Sequence, residues 1–122
     1  MRGLAIAFAV LAGAAPASAM PVSTFLAEVE SLDPNAAADK VTAHVSELKA
    51  ELQKDAAELR TERLAAAASG KQPAYCPAQG AAQPSADDII AALEAVPKLV
   101  RPKMQVKDAL RAYLAKRFPC AK

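Results

Sequence analysis

The chain has no tryptophan, only two tyrosines and three phenylalanines, one histidine and four glycines in 122 residues. Each shortage excludes something. With so few aromatics, the core must be built from Leu, Val, Ile and Ala, which suits packed helices. A single histidine, His44, with no Cys, Ser or carboxylate cluster at a known spacing, leaves no base for a nucleophile. The two cysteines do not form a Cys-x-x-Cys pair, so no redox motif is present. Two of the glycines fall in the first segment, leaving no Gly-rich phosphate loop. No run reaches the roughly 20 apolar residues that a membrane span needs. No stretch alternates convincingly at period two, so no sheet is expected. Charge is nearly balanced, at +2, and nothing global calls for nucleic acid.

The first segment carries an address. Arg2 gives a positive start, Leu4 to Ala15 is small and apolar, and Pro16 breaks the run. Ala17-Ser18-Ala19 then supplies an A-x-A signal before Met20. This is the layout of a secretory signal peptide, cleaved between Ala19 and Met20. The residue directly after the cleavage point is Met20, not cysteine, which argues against a lipid anchor, and no membrane span is expected after cleavage. Residues 1–19 are therefore set apart, and 20–122 form a single domain. Export to an oxidising periplasm makes Cys76 and Cys120 a disulfide pair, 44 residues apart.

Four helices are expected, giving an all-α bundle with one long member. Val22, Phe25, Leu26, Val29 and Leu32 repeat as one face of a short first helix. Asp33-Pro34 ends it and is expected to start the second, with Asp33 as N-cap and Pro34 at the first helical position. That second helix runs without Gly or Pro to Ser69, where Gly70 caps it, a length of about 45 Å. Its stripe of Val41, Val45, Leu48, Leu52, Ala56 and Leu59 resembles a coiled-coil seam. Either two shorter helices lie along it or its far end meets another subunit. Lys71 to Pro84 is a loop. Ser85 caps a third helix, with Asp88 three residues on and Ile89, Ile90, Leu93 and Val96 facing inward. Pro97 to Pro102 brackets a short exposed connection. The last helix, near Gln105 to Arg117, turns Val106, Ala109, Leu110, Tyr113, Leu114 and Phe118 to the core.

The two halves of the expected mature chain carry opposite charge: residues 20–69 are net −4 and residues 70–122 net +5. Glu47, Glu51, Asp55, Glu58 and Glu62 are expected on the solvent side of the long helix, with Lys54 and Arg60 among them. Lys103, Lys107 and Arg111 recur every four residues, just after Lys98 and Arg101. These five cations either pair with the acidic first half or form a partner-binding surface that steers an acidic protein, with anionic lipid as a third target. No cofactor and no metal are expected, and the chain reads as non-enzymatic.

Several stretches together have a counterpart. They are Tyr75-Cys76-Pro77-Ala78-Gln79-Gly80, a capped helix with Ile89-Ile90 and Leu93, a proline-bounded turn, Val106 to Leu114, and Phe118-Pro119-Cys120. Across Tyr75 to Cys120 the chain resembles the Tai/Rap-type immunity proteins. These are small helical periplasmic proteins that neutralise peptidoglycan amidase toxins delivered by type VI secretion. The resemblance implies a protein partner of the cell-wall amidase class and a tendency to form homodimers. The alternative is a structural or chaperone-like envelope protein that docks or dimerises through its long helix.

Overall fold

A computed structural model of the protein describes residues 19–121, so the expected signal segment, Ala19 apart, lies outside the described residues. The described chain is all-α, with four helices: α1 (Val22–Glu30), α2 (Ala38–Ala68), α3 (Ala86–Glu94) and α4 (Val106–Arg117). The one extended pairing is an isolated antiparallel bridge between Pro21 and Gln105. It is framed by the Val106 amide on the Met20 carbonyl at 2.9 Å and the Val22 amide on the Met104 carbonyl at 2.8 Å. The start of α1 is thereby sewn to the start of α4.

Two apolar clusters make the core. Val22, Phe25 and Leu26 of α1 meet Leu48, Leu93, Val106 and Ala109 in the first. In the second, Leu59 of α2 meets Leu110 and Leu114 of α4 and the ring of Tyr75. Helix α4 packs against all three other helices. The long helix is thus covered by α4 along its middle and by the loop after it, which folds back to bury Tyr75 against its later turns. Beyond Arg63 the last turn and a half of α2 is largely exposed, Leu64 included.

The seam is shifted by one residue from expectation. Ala56 is exposed, and Asp55 takes the inward position with only 4 % of its surface accessible. Leu48, Leu52, Asp55 and Leu59 are spaced by four, three and four, so the strict heptad alternation places the aspartate inside. The reading of Asp55 as a solvent-side acid is corrected on the same ground. Glu51 and Glu58 are half-buried beside it, whereas Glu47 and Glu62 are exposed.

A second correction concerns the start of α2. Asp33 does not cap it. The Asp33 carboxylate accepts from the Asn35 amide at 2.9 Å, and its carbonyl accepts from Ala36 at 3.1 Å. These bonds close a separate turn. Ala37 is then extended (ψ 135°), so helical geometry begins only at Ala38, without a side-chain cap. Helix α1 stops at Glu30, before the expected Asp33-Pro34, with Ser31 as its C-cap, whereas the ends at Gly70 and Ser85 follow expectation. Gly70 adopts φ +72°, with Lys71 N–H on the Ala66 carbonyl and Gly70 N–H on the Ala67 carbonyl, a Schellman closure that favours glycine. Ser85 and Asp88 form a reciprocal capping box on α3.

Cys76 and Cys120 are bonded, their Cα atoms 4.9 Å apart. Alongside, the Cys76 amide donates to the Phe118 carbonyl at 2.8 Å. The end of α4 is therefore tied to the loop that covers α2. Closing a 44-residue loop removes unfolded-state entropy worth about 4 kcal/mol. Replacing both cysteines by serine should lower the urea-unfolding free energy by about that amount. An unchanged midpoint and slope would remove the disulfide from the account of stability.

Candidate partner-binding surface

The five cations singled out in the sequence have different surroundings. Arg111 forms a two-pronged contact with Glu62, from Nη2 at 2.9 Å and Nε at 3.2 Å, and also meets Asp108 at 2.7 Å. Lys107 lies 3.3 Å from Glu58 and 3.7 Å from Glu62. Its contact with Glu58 holds the ammonium above the ordinary lysine value. These two side chains join α4 to carboxylates of α2, as the complementary charge of the two halves suggests. Exposed pairs of this kind contribute little singly, but the two-pronged geometry fixes the register of the two helices.

Arg101 has a different task. Its Nε donates to the Val96 carbonyl at 2.8 Å and its Nη2 to the Glu94 carbonyl at 2.6 Å. Glu94 is the last residue of α3 and Val96 lies two residues beyond it, so neither carbonyl has a partner within the helix. Arg101 thereby holds the loop after α3 in one shape. Turn bonds add to it: Val100 N–H and Arg101 N–H on the Pro97 carbonyl, and Lys103 N–H and Met104 N–H on Val100. The Ser23 amide reaches across to the Arg101 carbonyl at 3.2 Å.

What this loop presents is Leu99, 88 % exposed, beside Val100 and between Lys98 and Lys103. Neither lysine has an ion pair among the described residues. Leu99 and Val100 are two of the three large apolar side chains exposed among the described residues, the third being Leu64. The sequence placed an exposed connection here, but the anchoring role of Arg101 was not visible in it.

His44 lies 3.8 Å from Glu28, with 30 % of its side chain exposed. Among the described residues no group of three or more His, Cys, Asp or Glu is placed to hold a metal ion. No described helix is long and apolar enough to cross a membrane. No family model, no curated protein and no solved structure matches this chain.

Asp55 sits beneath the cation pairs. Burial, reinforced by the Glu51 carboxylate, pushes its acid from 3.8 to about 6. One oxygen each of Asp55 and Glu51 is buried without a hydrogen-bond partner. A folded-state value raised above the unfolded one means that the folded chain holds this proton more tightly. The associated stability is complete below pH 4 and is lost as pH rises through about 6. Asp55→Asn removes the titration. It should stabilise the protein by about 2–3 kcal/mol at pH 7.5 relative to wild type, with the gap closing near pH 4. Urea unfolding of both proteins across that range measures the difference and cancels other titrating groups. A gap independent of pH would show that Asp55 ionises normally.

Proposed function

We propose that the chain is an exported, non-catalytic binding protein of the immunity type, working in the periplasm. It neutralises a peptidoglycan amidase by placing the loop Pro97–Pro102 in the enzyme's cleft. The observation that carries this reading is Leu99, an exposed apolar side chain on a loop whose backbone is fixed by Arg101 and by bonds to α1. A rigid apolar side chain inserts without a large loss of entropy, so more of its burial shows up as affinity. Lys98 and Lys103 flank it and raise the rate of approach to an acidic cleft. Lys107 and Arg111, already occupied by Glu58 and Glu62, act in this reading by holding α4 in place.

Export is supported by the sequence of the first segment and by the disulfide, which suits an oxidising compartment. Met20, the residue after the expected cleavage point, accepts from the Val106 amide and packs on the first core cluster. A second reading, a homodimer or an envelope docking protein using α2, has one position in its favour. Leu64 is 53 % exposed near the end of that helix.

Bacteria that export a peptidoglycan amidase to their own periplasm give the test. The wild-type chain should protect them. Leu99→Asp, accumulating to the same level, should lose protection, with binding of the purified amidase weakened at least about 30-fold, the effect of losing a central anchor. Lys98→Glu with Lys103→Glu should slow association and flatten its salt dependence. Undiminished protection by Leu99→Asp would refute the loop as the docking element. Loss of protection in Leu64→Glu alone would favour the α2 reading.

A further inference from the structure

We propose that the cleft between α2 and the loop after it binds a free single-chain carboxylate amphiphile, of the fatty-acid class. This site is separate from the Leu99 loop and does not depend on its role. The cleft has a volume of about 680 Å³. That lies within the usual range for small-ligand sites, roughly 300–1,000 Å³. Its walls are aliphatic and aromatic: Leu52, Ala56 and Ala57 of α2, Ile89 of α3, and Leu114 and Phe118 at the end of α4. The segment from Pro77 to Pro84 forms one side, turning at Gly80, whose φ of +79° lets the chain bend there.

The charged lining has one sign, beside the neutral Gln53, Gln79 and Gln83. Arg60 and Arg63 reach the cleft one helical turn apart, and no Asp or Glu lines it. Neither arginine has an ion pair among the described residues. Arg60 is exposed. Arg63 stacks over Tyr75 at 5.4 Å, and its Nε–H is buried with no acceptor. On an otherwise acidic helix, these two cations are not matched to Glu58 and Glu62, which face α4 instead. Two cations without a carboxylate partner at one end of an apolar cleft favour an anionic head, and a carboxylate is the acceptor a guanidinium fits best. An anionic head at Arg60 and Arg63, with an alkyl chain along Ala56, Ala57 and Leu52 towards Ile89, satisfies both parts of the lining. A free amphiphile is favoured over a membrane-embedded lipid because none of the exposed large apolar side chains, Leu64, Leu99 and Val100, which could enter a bilayer, belongs to the cleft.

Sodium dodecanoate below its micelle concentration is the probe, added to the protein with its native N-terminus and its disulfide intact. Calorimetry should show one saturable site with Kd on the order of 10–100 µM. Amide shifts in NMR spectra should gather at Ala56, Ala57 and Tyr75 and spare Leu99. Arg60→Gln should weaken binding about tenfold, the loss of one charge-assisted contact. Ala57→Glu, on an exposed helix position, should abolish it. Both substitutions should leave the melting temperature in place, so loss of binding is not loss of fold. Dodecyltrimethylammonium should bind at least about tenfold more weakly. The proposal is overturned by no saturation below about 1 mM, by equal affinity for the cationic amphiphile, or by shifts that appear with anionic phospholipid vesicles and not with free dodecanoate.

Discussion

Helix α4 touches every other helix of the fold, and its contact with α2 sets where the rest can lie. Leu110 and Leu114 rest on Leu59, while Lys107 and Arg111 reach Glu58 and Glu62 on the same flank. Apolar burial supplies the attraction and the charged pairs select the register. The disulfide then fixes the end of α4 to the loop that carries Tyr75 onto Leu59 of α2. A domain this small, with few large aromatic side chains, has little core to spare, and a cross-link on its central helix compensates in part.

That frame costs something. Asp55 occupies a seam position that a leucine would fill with less penalty, and it lies under Lys107 with an unpartnered oxygen. Buried ionisable groups of this kind are weak contributors to stability and in some proteins select one register over another. Here Asp55 is the one polar break in a stripe of aliphatic residues on α2. The same stripe, if wholly apolar, would be an attractive face for a second copy of the helix.

Much of the architecture could be read from local sequence. Periodicity placed α1, α3 and α4 within one or two residues, because each is short, bounded by Pro or Ser, and amphipathic. Gly70 and the Ser85–Asp88 box marked their helix ends correctly because capping depends on adjacent residues. The start of α2 was misplaced because Asp33 can close either of two local structures, and the turn with Asn35 prevailed. Asp55 was missed because polarity was weighed above spacing. The fates of the five cations could not be separated in sequence: Arg101 serves α3 through carbonyls that carry no sequence signal, while Lys98 and Lys103 stay open. The cleft with Arg60 and Arg63 was equally hidden, since it exists only once the 71–84 loop folds back over α2.

Fold and function meet in the claim that the loop before α4 is held rigid while its leucine is exposed. Native-state hydrogen exchange, read residue by residue, tests this most directly. The amides of Val100, Arg101 and Met104, together with Ser23, should exchange as slowly as those of the first turns of α4, although Leu99 stands in solvent. Exchange of these amides at the rate of an open chain, with α4 still protected, would show a flexible loop and contradict the account of Leu99 as a preorganised anchor.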